Sequence, residues 1–478
     1  MSFTKQMHIH FVGIGGIGMS GIAKVFHLQG YHVTGSDHSE SETVYQLREM
    51  GVKVVIGHQS ENVLGADVVV ISSAVRKDNS EVVEAKKNRI PVIPRAEMLG
   101  ELMRGKVGIS VAGSHGKTTT TSMLGTVLSQ AELDPTVVIG GQVKALGGNA
   151  KKGSGKIVLA EADESDGSFI HLPATFGIIT NIDNDHLDFF KTEDAILKAF
   201  KEFVTRLPFY GLAIVCGDDE GVKKCIADFN KPFETYGFNE SCDFIVRDLQ
   251  MDSSKSDFTV YYKKKFIGKF TIQVPGKHNV LNAVAAIALS TKLNIETSKI
   301  QAALLNYQGV SRRFEIKWKN KQNTKMIIDD YAHHPTEIKA TLQASKIFWP
   351  NGKIKCVFQP HRYSRTLFCE SLFIDAFSFV DDIYITDIYP AGEDPIDGVS
   401  SKNLVEKISK NLKTNQTITY LPLTKYSAIC ELIPKLLSEF VEGDLMISMG
   451  AGSITKLPEL MIPHLEKDDK VFDENTIQ

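Results

Sequence analysis

The chain has 478 residues, 42% hydrophobic and 23% charged, with a formal net charge of -3. That length implies about three domains of roughly 150 residues, with ordinary globular cores. The charge balance gives no electrostatic footprint for nucleic acid, no apolar run of about 18 residues spans a membrane, and the first ten residues do not make a signal peptide. Six scattered cysteines without a Cys-x-x-Cys pair (Cys216, Cys225, Cys242, Cys356, Cys369, Cys430) point to free thiols in a reducing compartment, so a cytoplasmic protein is expected.

His8 to Val12 reads as a strand, followed by Gly13-Ile14-Gly15-Gly16-Ile17-Gly18 and a helix-like run through Leu28. Gly-x-Gly-x-x-Gly between strand and helix is the dinucleotide-type turn. The next strand, His32 to Gly35, ends in Ser36-Asp37, an acid about 20 residues on, where a ribose hydroxyl would be met. Further strands are expected at Val52 to Ile56 and Val68 to Ile71, the latter leading into Ser72-Ser73. The turn itself suits NAD, FAD or any pyrophosphate. The unit ends near residue 104, too short for a six-stranded NAD domain, which favours a nucleotide diphosphate as the handle of a substrate.

The stretch from 105 to 311 opens with a strand, Val107 to Ala112, then Gly113-Ser114-His115-Gly116-Lys117-Thr118-Thr119-Thr120-Thr121 and a helix-like run, Ser122 to Gln130. Glycines at such a junction let backbone N–H groups converge on an anion at a helix N-terminus. Lys117 would lie over the β/γ-phosphates and Thr118 would offer its hydroxyl to Mg²⁺, making this an ATP site. Val111 stands where the longer form of the loop has its first glycine. A buried strand, Lys156 to Ala160, delivers Glu161 where a Walker-B-like Mg²⁺ ligand belongs, and most of the other acids through Asp166 are expected in a solvated turn. Phe176 to Thr180 is another buried strand, ending before His186, which is as compatible with a second metal as with a structural role. Phe258 to Tyr262 and Phe266 to Val274 read as antiparallel strands, and Asn279 to Leu289 as an Ala-rich buried helix capped by His278 and Asn279.

From residue 312 strand again alternates with helix, predicting a second doubly wound α/β domain. Strands are expected at Lys325 to Ile328, Ile354 to Phe358, Asp381 to Thr386 and Asp444 to Ser448. Their C-terminal ends carry Asp330, Tyr331, His333 and His334, then His361, Arg362 and Arg365. Arg362 and Arg365, three apart at a helix start, could both face one small carboxylate. The polar tail, Lys467 to Gln478, is expected to be loosely held.

Taken together, residues 13–21, 113–121, 161–166, 181–188, 276–279, 312–315, 329–337 and 359–366 resemble, in order and over nearly the whole chain, the motifs of bacterial Mur ligases. Within that family the likeness is strongest to the branch that adds L-alanine to UDP-N-acetylmuramic acid. The resemblance implies three α/β domains: a Rossmann-like UDP-substrate domain (1–104), a central P-loop ATPase-type domain (105–311) and a Rossmann-like amino-acid/ATP domain (312–478).

The resemblance also implies roles. Gly113, Ser114, His115, Gly116, Lys117, Thr118 and Thr119 would form the ATP loop, with His278 and Asn279 on the adenine side, Asp330 near the ribose and Arg313 facing phosphate. Thr118, Glu161 and His186 would ligate Mg²⁺. Gly13, Gly15, Gly16, Gly18, Ser36, Asp37, Ser72 and Ser73 would hold the UDP moiety, and Tyr331, Arg362 and Arg365 the alanine. Lys117 and Arg313 would be catalytic, with His334 or Asp330 near the amine proton. The expected reaction activates the lactyl carboxylate as an acyl phosphate and joins it to L-alanine in peptidoglycan precursor synthesis. Its partners would be ATP, UDP-N-acetylmuramic acid and L-alanine, with the chain a monomer or homodimer. A muropeptide-recycling ligase, which joins a whole peptide to the same UDP-sugar, is the alternative. The paired arginines favour free alanine.

Overall fold

The computed structural model describes residues 7–143 and 146–475. Three sheets follow one another along the chain, each at the core of an α/β unit. The first is wholly parallel: β1 (His8–Val12), β2 (His32–Asp37), β3 (Lys53–Ile56), β4 (Val68–Ile71) and β5 (Val92–Pro94), in the order 3-2-1-4-5. Short Val/Ile runs such as VVVI form its middle because helices cover both faces and leave no polar side. β1 lies between β2 and β4, so the chain leaves it at the switch point of the sheet, where open α/β sheets bind ligands.

The second sheet comprises β6 (Val107–Ala112), β7 (Thr136–Val143), β8 (Gly148–Lys151), β9 (Ile157–Glu161), β10 (Phe176–Ile179), β11 (Leu212–Cys216), β12 (Phe233–Gly237), β13 (Phe244–Met251), β14 (Ser256–Tyr262) and β15 (Lys265–Ile272). The order is 15-14-13-12-11-10-6-9-7-8, with antiparallel pairing along β13–β15 and between β7 and β8. β9 and β10 flank β6 in parallel, so the ends of three strands bring Gly113, Glu161 and Thr180 side by side. The buried helix Lys277–Lys292 packs against helix Lys117–Gln130, and its alanines allow the close approach. The latter helix starts earlier than the expected Ser122. Four β-branched threonines weaken local propensity, but Thr121 Oγ1 donates to Lys117 O at 2.8 Å and Thr120 Oγ1 to Asn282 Oδ1 at 3.2 Å.

The third sheet is β16 (Glu315–Lys319), β17 (Met326–Asp330), β18 (Lys353–Phe358), β19 (Asp382–Thr386), β20 (Thr417–Leu421) and β21 (Asp444–Met449), ordered 16-17-21-18-19-20 with only β16 antiparallel. A helix, Leu457–Asn475, carries regular backbone through most of the expected loose tail, whose last residues, 476–478, lie outside the described residues. The first two units are joined through side chains. Asn149 Nδ2 donates to Ile17 O at 2.7 Å and to Ser20 Oγ at 2.9 Å, and Arg95 pairs with Asp163 at 2.9 Å. Among the described residues, no helix is long and apolar enough to cross a membrane, and all six cysteines are free.

Candidate active site

Val111 remains within β6, paired with Ile178 and Glu161, so the phosphate loop begins only at Gly113 and needs no earlier glycine. Gly113 (φ +134°) lies against Thr180 Oγ1, and a Cβ there would collide with it. Gly116 (φ +80°) precedes the helix in left-handed backbone, where a Cβ would stand 2.5 Å from Asn282 Oδ1. The result is a cradle that only glycine can form. Lys117 Nζ donates to Gly113 O at 2.6 Å, Ser114 O at 3.1 Å and Glu164 Oε1 at 2.8 Å. Thr118 Oγ1 donates to Glu161 at 3.0 Å, and the same carboxylate accepts Gly140 N at 2.8 Å. A hydroxyl and a carboxylate oxygen thus meet at the helix start, a hard-oxygen donor pair suited to Mg²⁺.

Glu164 corrects the expectation of a solvated acidic turn. It is 2% exposed, between Lys117 and His186, with His186 Nε2 3.6 Å from its Oε1. Burial pushes its carboxyl up to about 8 against the pull of Lys117. Sequence reasoning passed over Glu164 because Glu161, Asp163, Glu164 and Asp166 look alike in one dimension. Asp163 is engaged by Arg95, and Asp166 accepts Ser168 N at 3.0 Å.

A cavity of about 540 Å³ opens beside the loop between the second and third units, a volume in the range of small-molecule sites. Its walls include His115, Gly116 and Thr119 from the loop, His278 and Asn279 from the following helix, and Arg313 and Asp330 from the third unit. Seven of the residues expected around ATP therefore meet there. Asn279 Nδ2 donates to Pro275 O at 2.6 Å, and burial lowers His278 to about 4. Asp330 accepts Phe314 N and Ala332 N, both at 2.8 Å, and burial raises its carboxyl to about 6.

A polar seam runs along the wall of this cavity. His115 Nε2 lies 2.9 Å from Asp183 Oδ2 and its Nδ1 3.4 Å from Glu337 Oε1, which also takes Arg313 Nη1 at 3.4 Å. Despite the opposing effect of burial, these two carboxylates raise His115 to about 10, so the ring is an imidazolium at neutral pH. Thr336 Oγ1 adds a bond to Asp183 Oδ2 at 2.7 Å. The P-loop histidine is thereby tied to the arginine of the third unit through one carboxylate, Glu337. Nothing adjacent in the sequence announces this relay.

His334 is the clearest departure. It is fully buried, its Nδ1 accepts Thr336 N as the cap of helix Pro335–Phe348, and Nε2 faces Cys369 Sγ at 3.5 Å. Both nitrogens are occupied, so it is a structural cap and not an exposed base.

The arginine pair also differs from expectation. Arg365 is buried, and its Nη2 donates to Asp185 Oδ1 at 3.2 Å across the two units, while Arg362 precedes helix Tyr363–Phe368 with φ +70°. In this conformation Asp185 holds Arg365. Tyr331 connects to Arg365 through rings: Tyr331–His333 at 5.2 Å, His333–His361 at 5.8 Å, then His361 Nδ1 3.3 Å from Arg365 Nη1. Arg312 and Arg313 lie over the Tyr331 ring at 4.9 Å and 5.3 Å.

In the first unit, Gly13 (φ +76°), Gly15, Gly16 and Gly18 form the turn after β1, and Ser72 and Ser73 follow neighbouring β4. Gly15 N donates to Asp37 Oδ2 at 2.8 Å. Gly18 faces Arg95, whose guanidinium would be 3.0 Å from an added Cβ. Ser36 does not face this cleft: it is fully buried and its hydroxyl donates to Glu81 Oε2 at 2.6 Å beside His58. Residues 33–36 of β2 are all buried, and Asp37, the last of the strand, is half-buried.

Family models match the chain in three consecutive parts: Mur ligase family, catalytic domain over residues 8–107, Mur ligase middle domain over 111–290, and Mur ligase, glutamate ligase domain over 312–452. The chain belongs to the Mur ligase family. This Mur ligase is 47% identical over 466 residues to the UDP-N-acetylmuramate–L-alanine ligase of Geotalea uraniireducens, covering 98% of this chain and 100% of that protein. The protein of the same name from Geobacter sulfurreducens is 47% identical over 469 residues, covering 97% and 99%. The solved UDP-N-acetylmuramate-alanine ligase of Thermotoga maritima matches with a TM-score of 0.82 at 30% identity, covering 97% of this chain and 100% of that one. A murein peptide ligase from Psychrobacter arcticus shares the fold, with a TM-score of 0.70 at 23% identity over 96% and 98%.

Proposed function

We propose that this Mur ligase joins L-alanine to the lactyl carboxylate of UDP-N-acetylmuramic acid, with ATP cleaved to ADP and phosphate, in peptidoglycan precursor synthesis. The observation that carries the substrate pair is 47% identity across 98% of the chain to a ligase named for it. The glycine cradle with Lys117, Thr118 and Glu161 supports the chemistry. We assign the UDP-substrate to residues 1–104, ATP to 105–311 and alanine with further ATP contacts to 312–478, boundaries supported by the gaps between the three sheets. A cytoplasmic reaction is supported by the six free thiols.

The Gly13–Gly18 turn, Asp37 and the Ser72–Ser73 loop hold the UDP moiety at the switch point of the first sheet. The ATP adenosine occupies the cavity by His278, Asn279 and Asp330, with its phosphates over the Gly113–Gly116 cradle. Divalent cations held by Thr118 with Glu161, and by His186, would neutralise phosphate charge and align the γ-phosphoryl group. Lys117 adds a positive charge on the nucleotide side and Arg313 another from the third unit. A lactyl oxygen attacks the γ-phosphorus, the bond to ADP oxygen breaks, and an acyl phosphate forms. The alanine amine then attacks the acyl carbon, loses a proton, and phosphate leaves as the amide forms. Arg365, Arg362 and Tyr331 orient the alanine carboxylate once Arg365 exchanges Asp185 for it. Positioning and charge neutralisation supply most of the rate.

Phosphate release should require ATP, UDP-N-acetylmuramate and L-alanine together. Equal hydrolysis with ATP alone overturns the ligase reading, and replacement of alanine by a tripeptide shifts it to peptide recycling.

A further inference from the structure

Glu81 is fully buried in the first unit, at the start of helix Ser80–Lys87, yet it gathers polar groups from β1, β2 and the segment after β3. Its Oε2 accepts Ser36 Oγ at 2.6 Å and lies 3.1 Å from His58 Nδ1. Its Oε1 accepts Asn62 Nδ2 at 2.5 Å and lies 3.7 Å from His10 Nε2. Burial pushes the carboxyl up, but His10, Ser36 and Asn62 hold it down to about 2, so it is an anion at neutral pH.

A buried ionic cluster is weak support for stability, since apolar side chains of similar volume often serve a core as well or better. What this cluster secures is geometry at one end of the sheet. Ser36 is the penultimate residue of β2, His58 lies just beyond β3 and Glu81 follows β4. All three stand at the carboxyl ends of parallel strands, where open α/β sheets bind ligands. Ser36 also carries the link to the glycine turn, because its carbonyl oxygen accepts Gly13 N at 2.8 Å and Ile14 N at 3.0 Å. Glu81 holds the Ser36 side chain, and the Ser36 carbonyl holds the first two residues of the turn. On the β3 side, Ser80 Oγ donates to His58 O at 2.9 Å and Gly57 N to Asp37 O at 2.8 Å. Asp37 in turn takes the Gly15 amide.

We propose that Glu81 is a positioning residue for the UDP-substrate: without touching the ligand, its carboxylate holds Ser36 and the segment after β3, so that the 13–18 turn and Asp37 keep the shape that binds UDP-N-acetylmuramic acid. This role rests on the reading of the first unit as the UDP-substrate domain.

Calorimetric titration of the whole chain with UDP-N-acetylmuramic acid, without alanine, reads the role apart from the ligase reaction. Glu81→Gln keeps the side-chain shape but loses the charge and one acceptor oxygen. It should raise the Kd for UDP-N-acetylmuramic acid by about tenfold or more, the scale of one charged hydrogen bond, and leave that for a non-hydrolysable ATP analogue within about twofold. Ser36→Ala should weaken the UDP-substrate by about threefold or more, and adding it to Glu81→Gln should cost nothing further, since the two residues act in series. In turnover, Glu81→Gln should raise the KM for UDP-N-acetylmuramic acid with kcat within about twofold. Thermal melts establish that each variant is folded, and Ser36→Ala carries the test if Glu81→Gln is not. A lower melting temperature with unchanged UDP-substrate affinity makes Glu81 purely structural and overturns the role. Equal weakening of both ligands, or additive losses in the double variant, also overturns it. Wild type that does not bind the UDP-sugar overturns the reading of the first unit, whereas binding in wild type that is unchanged in Glu81→Gln overturns the role of Glu81 alone.

Discussion

Two glycine turns, 13–18 and 113–116, each leave an interior strand of a sheet, yet the charges around them differ. The second carries Lys117 at the first position of its helix and two carboxylates within reach of that helix start. The first has no lysine on its own helix start: the Arg95 guanidinium against Gly18 is paired with Asp163, and Asp37 takes the Gly15 amide at 2.8 Å. Backbone shape is therefore shared, while the neighbouring charges divide the labour. An acid on the first turn suits sugar hydroxyls beside a diphosphate that is held and never cleaved. A lysine with metal ligands on the second suits a phosphoryl group in flight.

Single substitutions break this contrast most sharply at Lys117. Lys117→Ala should lower amide formation by about 10³-fold or more, read as ADP release with all substrates saturating. Asp37→Asn should instead raise the KM for UDP-N-acetylmuramate by about 10–100-fold with kcat within about twofold, since it removes binding shared by ground and transition states. Comparable kcat losses in both would erase the distinction between holding and transferring. Arg365→Ala should raise the alanine KM by about tenfold and leave the KM for ATP nearly unchanged; equal changes in both would remove Arg365 from the amino-acid pocket.

The smallest effect is on stability. His115 in the second loop has a folded pKa near 10, above its unfolded 6.5, so its contribution is fully present below pH 6.5 and is lost as pH rises through 10. The melting temperature of wild type should therefore fall between pH 7 and pH 10 by about 2–5 °C more than that of His115→Gln. Parallel melting curves in the two proteins would show that the seam carries no linkage.

Strand ends and loop glycines were legible in the sequence because strand, turn and helix are contiguous there, and the period of each run reports its burial. The buried strands β6, β9 and β10 were placed to within a residue or two, and with them Lys117, Thr118 and Glu161. Partners separated along the chain were not. Arg365 and Asp185 are 180 positions apart, and Ser36 and Glu81 are 45 apart. No local pattern reports such pairs, so Arg365 read as open and Ser36 as a ligand contact. His334 misled for a related reason: His333 and His334 are neighbours, but only His334 turns inward to cap a helix. The strand Leu212–Cys216 was missed although its apolar run is plain and the acids Asp218, Asp219 and Glu220 that follow it line the cavity.

The linker entering the third unit has a consequence for how binding and domain position are coupled. Arg312 and Phe314 adopt φ values of +61° and +52°, conformations that L residues hold only when neighbours impose them. Phe314 N is fixed on Asp330 Oδ2 at 2.8 Å and Tyr331 N on Arg312 O at 2.7 Å. Asp330 also lines the cavity, so a ribose hydroxyl placed on this carboxylate as proposed would compete with the amides it accepts from the linker and from Ala332. The cavity wall and the bend of the chain share one carboxylate, that of Asp330. With the nucleotide placed as proposed, the joint between the two units becomes a component of the binding equilibrium: a bound nucleotide would reweight the angles the joint can adopt, and each angle would reweight the affinity in return.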